Sequence, residues 1–219
     1  MPVDGRGLLL GQTGTGKSTL AKVLLADKKS LLVIDPKHQF ETIQEYQITE
    51  DAELIPMLFN RAEKKNIAVI YRPSIMDTER EEIDSVFRWV FGRGNIFLYN
   101  DELTAVTDNP VHYPKYLRAI YTQGRSKFIG TLGATQRPSM IPLFIFSETE
   151  RDWVFRLKLE ADRDRAADFI IPAESYTGRR PTLTWKTEHA FYFHEQSERT
   201  FPRQAELNLT GTELAGVRT

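Results

Sequence analysis

The chain has 219 residues, of which 41% are hydrophobic and 27% charged, and its formal net charge is −1. This composition is typical of a globular protein and excludes fibrous, disordered and membrane-spanning classes. Divided by a typical domain size of about 150 residues, the length predicts one compact domain, or one with a short appendage. Cysteine is absent, which excludes disulfide scaffolds, thiolate zinc sites and cysteine nucleophiles, and the balanced charge leaves only a local basic surface as a means of binding nucleic acid.

Apolar runs in the sequence are too short for export or membrane insertion. The N-terminal region contains only a three-leucine run, whereas a signal peptide needs about 7–15 apolar residues. The longest apolar stretch, residues 141–146, is interrupted by Pro142 and is far below the roughly 20 residues of a spanning helix. We therefore expect a soluble intracellular protein.

Short apolar segments alternate with helical patterns along the first two thirds of the chain. Continuous apolar runs predict strands, and apolar residues at helical spacing predict the intervening helices. This alternation predicts an α/β fold with a mostly parallel central sheet covered by helices on both faces. The predicted strands are 7–10, 31–34, 67–71, 96–99 and 128–134, and the predicted helices are 17–27, 51–65, 78–91 and 114–123.

The pattern is weaker after residue 147. It predicts a strand over 153–159, a helix over 162–170 and a β-hairpin formed by 182–185 with 190–194. The last segment is polar and weakly periodic, which is typical of a partly ordered tail. We place a core domain at 1–171 and a C-terminal hairpin with its tail at 172–219.

A phosphate-binding loop follows the first predicted strand. The segment from Gly11 to Ser18 fits G-x-x-x-x-G-K-[ST], in the required position between a strand and a helix. Its glycines allow backbone N–H groups to converge on phosphates, and the positive end of the following helix adds to that attraction. Lys17 is expected to reach the β- and γ-phosphates, and the Ser18 hydroxyl to ligate Mg²⁺. The predicted ATP-binding residues are Gly11, Gln12, Thr13, Gly14, Thr15, Gly16, Lys17, Ser18 and Thr19.

Two adjacent carboxylates end the fourth predicted strand. Asp101 is suited to hold Mg²⁺ directly or through water, and Glu102 can polarise a water for attack on the γ-phosphate. A P-loop kinase has no need of the second carboxylate, whereas an ATP hydrolase does. The interval between Lys17 and Asp101 accommodates two further strand–helix units. This arrangement resembles the additional-strand, catalytic-glutamate (RecA-like) branch of P-loop NTPases.

A polar strand end completes the set of motifs. The fifth predicted strand runs into Gln136, Arg137 and Pro138, and parallel strands present their carboxyl ends along one edge. Gln136 is therefore expected near the γ-phosphate. Together the segments GQTGTGKST, LLVIDPK, IFLYNDE and GRSKFIGTLGATQRPS resemble the FtsK/HerA superfamily of DNA-pumping ATPases over roughly residues 5–170. Asn100 departs from that pattern, because a small residue or isoleucine usually precedes the acidic pair.

The resemblance implies a pentameric or hexameric ring in which ATP lies between subunits and an arginine acts in trans, an effect worth about 10³–10⁵ in rate. Arg125, directly after the Gly124 helix stop, and Arg118 on the preceding helix are the candidates. Such motors contact the DNA backbone without reading sequence, which makes Lys115 and Arg72 candidate DNA contacts.

The size of the chain favours one kind of motor. A bare ATPase core resembles the genome-packaging ATPases of tailless, membrane-containing viruses and some small phages. This implies an ATPase that moves double-stranded DNA into a preformed capsid, docked on a portal or capsid vertex protein in the infected cell. A small nucleoside or nucleotide kinase and a nucleotide-switched phage assembly module stay open as alternatives; Glu102 together with Gln136 favours the motor over the kinase.

Overall fold

In the computed structural model, residues 5–63, 65, 67–74, 80–107, 109–172, 177–178, 181–197 and 202–207 are described. Short 3₁₀ turns are present at Gly124–Lys127 and Pro138–Met140. The elements in chain order are β1 (Arg6–Leu10), α1 (Lys17–Leu25), β2 (Leu31–Ile34), β3 (Tyr46–Thr49), α2 (Ile55–Glu63), β4 (Ala68–Tyr71), α3 (Arg80–Arg93), β5 (Ile96–Asn100), α4 (Leu103–Val106), α5 (Lys115–Gln123), β6 (Ile129–Thr135), α6 (Leu143–Glu148), β7 (Arg151–Phe155), α7 (Glu160–Ile170), β8 (Ala190–Glu195) and β9 (Arg203–Glu206).

The described strands form one sheet in the order β3-β4-β2-β5-β6-β1-β7-β8-β9. All pairings from β3 to β7 are parallel, and β8 and β9 add an antiparallel edge. The predicted α/β class and its mostly parallel sheet are thus confirmed. Strand β6 pairs with both β1 and β5, so it separates the strand of the phosphate loop from the strand of the acidic pair. A strand in this position agrees with the additional-strand branch of P-loop NTPases that the sequence resembles.

Helices cover both faces of the sheet and explain why its strands are continuously apolar. Leu9 faces α1 and packs with Leu20 and Leu25, whereas Leu8 and Leu10 belong to the opposite cluster, formed with α2, α3, α5 and α7. All three leucines are 0% exposed. A strand that is buried on both faces has no solvent side for polar residues, and its carboxyl end opens directly into the site.

The sequence did not predict the edges of the sheet correctly. Strand β3 was missed because its segment, Tyr-Gln-Ile-Thr, is short, polar and only partly buried at an edge. The predicted hairpin of 182–185 with 190–194 was wrong: β8 pairs with β9 instead. Residues 182–185 are held by isolated bonds, in which Trp185 Nε1 donates to the carbonyl of Val154 and the Tyr192 hydroxyl to that of Thr184. The domain boundary at 171 stays a prediction.

Within the described residues, no helix has the length and apolarity needed to cross a membrane.

Candidate nucleotide-binding site

The turn of the phosphate loop depends on glycines in a backbone conformation that other residues rarely adopt. Gly14 and Gly16 have φ angles of 84° and 103°, in the region that glycine alone enters without strain. Gly16 is the N-cap of α1, so the first N–H groups of this helix point into the loop. The Lys17 ammonium donates to the carbonyl of Gln12 at 2.9 Å. Backbone bonds to the neighbouring strands also anchor the loop, from Gly11 to Thr135 and from Gln12 to Arg156.

A cavity of about 450 Å³ opens where the loop meets the carboxyl edge of the sheet. Most of the predicted nucleotide-binding residues line it, while Gly11, Gln12 and Thr15 support the loop from behind. Thr15, for example, is 0% exposed and its hydroxyl donates to the carbonyl of Gln12. The lining residues are Thr13, Gly14, Gly16, Lys17, Ser18, Thr19, Lys37, Gln39, Phe40, Asp101, Gln136 and His189.

The two predicted carboxylates lie side by side with different partners. The Tyr99 hydroxyl donates to Oδ1 of Asp101 at 2.7 Å. Glu102 accepts from the Lys37 ammonium at 2.7 Å on one oxygen and from the Thr104 hydroxyl at 2.8 Å on the other. Both carboxylates are more than nine-tenths buried. Asp101 therefore retains an oxygen for the cavity, while Glu102 is fixed in orientation.

Burial and these partners move the pKa values of the site in different directions. Burial raises the pKa of Asp101, and the Tyr99 and Lys37 contacts only partly oppose it. Burial also tends to raise the pKa of Glu102. The hydrogen bond and the charge of Lys37, together with hydrogen bonds from hydroxyl groups, outweigh burial, so the pKa of Glu102 is lowered. Burial lowers the pKa of Lys17 to about 8, although the nearby Glu102 carboxylate opposes that change. Glu102 is consequently held as a carboxylate, the form a general base requires.

Lys37 is a site residue to which the sequence analysis assigned no role. It follows β2, and its position is fixed by the fully buried Asp35, whose carboxylate accepts the backbone N–H groups of Gln39 and Phe40. These bonds fold the segment after β2 back on itself and carry Lys37 to Glu102. Strand β2 neighbours β5, so a charged residue at the carboxyl end of β2 was the available signal.

The structure brings Gln136 to the phosphate loop, as expected from the shared strand edge. The Thr13 hydroxyl donates to Oε1 of Gln136 at 2.8 Å. This bond joins the end of β6 to the tip of the loop, so a ligand that moves one can move the other.

Asn100, where the sequence departs from the superfamily, is 0% exposed. Neither its amide nitrogen nor its amide oxygen has a hydrogen-bond partner among the described residues. A buried unsatisfied polar group costs about 1–3 kcal/mol, so this strand end is closely packed at a cost in stability.

The candidate trans arginines lie away from the cavity. Arg118 on α5 and Arg125 in the turn after it are both exposed. Arg125 lines a second cavity, also of about 450 Å³, with Lys29, Asn95 and Phe128 at the amino edge of the sheet. The side chain therefore points away from the phosphate loop of its own chain.

The candidate DNA contacts differ from each other in environment. Lys115 is exposed at the start of α5. Arg72 is engaged within the chain: its Nε lies 2.9 Å from Oδ2 of the buried Asp35, and Nη2 donates to the carbonyl of Phe40. Arg72 thus supports the segment that positions Lys37, and its contact with DNA stays a prediction.

The sequence is similar to those of known proteins. The family model described as "Helicase HerA, central domain" matches residues 6–100. The DNA packaging ATPase P9 of Enterobacteria phage PRD1 is 31% identical over 78% of this chain and 72% of its own length.

Solved structures share the fold. The genome packaging NTPase B204 of Sulfolobus turreted icosahedral virus 2, in complex with ATP-gammaS, matches with a TM-score of 0.66 and 17% identity, covering 93% of this chain and 98% of that one. VirB4 of Thermoanaerobacter pseudethanolicus matches with a TM-score of 0.60 and 10% identity, covering 94% and 89% of the two chains.

Proposed function

The chain belongs to the FtsK/HerA superfamily, in the family of the phage DNA packaging ATPase P9, and from that premise we propose that it is an ATPase that drives double-stranded DNA into a viral capsid. The observation that carries the proposal is the buried, hydrogen-bonded Glu102 beside the phosphate loop of a chain 31% identical to P9. A carboxylate held by hydrogen bonds at this position fits ATP hydrolysis, and a P-loop kinase has no need of it.

ATP would be held by its phosphates in the loop. The N–H groups at the start of α1 and the Lys17 ammonium face the β- and γ-phosphates. The Ser18 hydroxyl and the Asp101 carboxylate line the same cavity, and both are oxygen ligands of the kind that Mg²⁺ prefers. The described residues contain no cluster of three or more His, Asp or Glu side chains that could hold a metal alone. Bound Mg²⁺ supplies charge neutralisation on the phosphates.

Glu102 would act on the water that attacks the γ-phosphate. Its carboxylate oxygens accept from Lys37 and Thr104, and a carboxylate has further lone pairs for a water proton. Because Lys37 lowers the pKa of Glu102, the group is ionised when the water binds. Gln136, bonded to Thr13, is placed to respond to the presence of the γ-phosphate.

Hydrolysis would be completed by a neighbouring subunit. Since Arg125 is exposed at the opposite edge of the sheet from the phosphate loop, it can reach a nucleotide only on another copy of the chain. A head-to-tail interface of this kind forms a ring when its rotation closes, and we expect a ring of five or six subunits. Arg118, on the outer face of the preceding helix α5, is the alternative finger.

DNA would pass through the ring and be held by contacts to its phosphate backbone. Exposed cations such as Lys115 can contact phosphates without reading sequence, so a chain with a net charge of −1 can still hold DNA if its cations face a channel. A motor of this kind would work in the infected cell, docked on a portal or capsid vertex protein.

The test is ATP hydrolysis by the purified full chain, measured as phosphate release with and without linear double-stranded DNA. We expect DNA to stimulate phosphate release. Glu102→Gln should lower kcat by about 10²–10⁴, the usual contribution of a general base, while ATP affinity changes by only a few-fold. Glu53→Gln, a matched change at an exposed carboxylate, is the control. Full activity of Glu102→Gln, or hydrolysis that DNA never stimulates in the assembled protein, would contradict the proposal.

A further inference from the structure

The C-terminal hairpin, formed by β8 and β9, lies against the phosphate loop. Strand β8 is antiparallel to β7, so it begins at the sheet edge where β1 ends in the loop. Strand β9 ends at the same edge, where the N–H of Leu207 donates to the carbonyl of His189 at 3.2 Å. A Cβ atom on Gly16 would lie 2.7 Å from Cδ1 of Leu207. The hairpin therefore forms one wall of the nucleotide cavity.

His189 is the hairpin residue that enters this wall. It immediately precedes β8 and is half-buried. Its Nδ1 lies 3.4 Å from the carbonyl oxygen of Thr15 in the phosphate loop, and 3.8 Å from where a Cβ on Gly16 would stand. Since the carbonyl is an acceptor, Nδ1 is the donor in this contact, which leaves Nε2 as an acceptor in the neutral ring.

The position of His189 along the cavity indicates which part of a nucleotide it faces. The end of the cavity that binds the γ-phosphate is marked by Lys37, Asp101 and Gln136. His189 instead touches Thr15 and Gly16, next to the start of α1, at the end of the loop from which the nucleoside would extend. The ring is thus on the sugar and base side.

His189 also provides an aromatic ring that is free to contact a base at this end of the cavity. Phe40, which bears the other aromatic ring among the described lining residues, is only 2% exposed and packs on Tyr99 with ring centroids 4.7 Å apart. A planar ring at the cavity wall provides a stacking surface for a purine, an interaction that tolerates any base with a π-face.

We propose that His189 is a nucleotide-binding residue whose imidazole packs against the nucleoside half of ATP while its Nδ1–H anchors the phosphate loop. The inference rests on the ATP binding proposed above. It assigns the C-terminal hairpin a direct part in holding the nucleotide.

Two probes separate contact with the nucleoside from support of the loop: ATP and inorganic tripolyphosphate, each with Mg²⁺, titrated into the full chain by calorimetry. His189→Ala should weaken ATP binding by roughly tenfold, the effect of one lost stacking contact, and leave tripolyphosphate affinity within about twofold. His189→Phe keeps the ring and should retain ATP affinity within about threefold. His189→Asn keeps a donor without the ring and should behave like His189→Ala. The control is His112→Ala, at an exposed histidine outside the cavity.

Equal losses for both probes in His189→Ala would overturn the inference, because they would mean that the side chain only supports the loop. Unchanged ATP affinity in that variant would overturn it as well. Failure of the unmodified chain to bind ATP is a separate result that contradicts the proposed function itself. Thermal unfolding of each variant checks that the fold is intact.

Discussion

The nucleotide site and the outer face of α5 carry charge in opposite ways. In the site, Glu102 is 6% exposed and bonded to Lys37 at 2.7 Å, and Lys17 is 9% exposed and donates to the loop. On α5 and the turn after it, Lys115, Arg118 and Arg125 are all exposed.

This difference separates groups that act within the chain from groups that can act only on another molecule. A buried charge is stable when its partner is already in place, and such pairs fix the site before ATP arrives. An exposed cation contributes little to folding, so a function for Lys115, Arg118 or Arg125 must come from DNA or a neighbouring subunit. Variants from the two regions should therefore complement each other when mixed, whereas two variants of the buried site should not.

The largest loss of ATP hydrolysis is expected at Arg125, in the exposed turn after α5. Arg125→Ala should lower DNA-stimulated ATP hydrolysis by about 10³–10⁵, the contribution of an arginine finger, while leaving ATP affinity within a few-fold. Mixing this variant with Glu102→Gln should restore part of the activity, because some interfaces then pair an intact Arg125 with an intact Glu102. Steady-state phosphate release across mixing ratios measures this recovery.

Arg118→Ala is the comparison for that experiment, since it removes the exposed arginine of α5, the helix that precedes the turn of Arg125. It should retain most of the activity. Full activity of Arg125→Ala alone would remove Arg125 from the interface, and a loss in Arg118→Ala that mixing restores would assign the finger to Arg118.

A smaller loss of kcat is expected at the buried pair of Lys37 and Glu102. Lys37→Met removes one charge-assisted hydrogen bond to Glu102, worth about 1.5–3 kcal/mol, so kcat should fall by roughly 10- to 100-fold. Mixing Lys37→Met with Glu102→Gln should give no recovery, because Lys37 and Glu102 belong to the same site of one chain. Single-turnover hydrolysis measures the chemical step.

Lys37→Arg is the matched control, because it keeps a cation opposite Glu102 and should recover part of kcat. If Lys37→Met hydrolyses ATP at the unmodified rate, the pair does not orient the base, and the contrast between the two regions is lost.

The smallest effect is expected for single cations on DNA. Lys115→Ala should weaken DNA binding by a few-fold and reduce the salt-dependence slope by about 0.9, the value for one phosphate contact. Arg72→Ala should instead destabilise the fold by about 3 kcal/mol, because it leaves the buried Asp35 without its ion-pair partner. DNA-binding titrations at several salt concentrations, with thermal unfolding, distinguish the two. An unchanged slope in Lys115→Ala would exclude that side chain from the contact.

Much of the fold was predictable because its signals are local. The strands carrying the site are buried on both faces, so each is a continuous apolar run that the sequence displays directly. Strands β3 and β9 lie at the two edges of the sheet, where short polar segments pair without an apolar pattern. Residues 182–185 read as a strand, but side-chain bonds to Val154 and Tyr192 hold them outside the ladder.

The candidate site divides in the same way. The phosphate loop follows from spacing, because its residues are close in sequence, and the pair of Asp101 and Glu102 follows from its position at the end of an apolar strand. Lys37 and His189 reach the same cavity from β2 and β8, and no spacing rule relates them to the loop. The sequence placed Arg72 among the surface cations, whereas the structure pairs it with Asp35.

The sequence by itself determined that this protein has a phosphate-binding loop, two carboxylates at a strand end and a mostly parallel sheet, since each depends on contacts between near neighbours in the chain or on uniform burial. Only the tertiary structure decided that Lys37 clamps Glu102, that the C-terminal hairpin walls the nucleotide cavity through His189, and that Arg125 faces away from its own site. The reason is physical: strand order sets which side chains meet, and in this sheet β2 lies beside β5 and β8 beside β7 although the chain separates them by many residues.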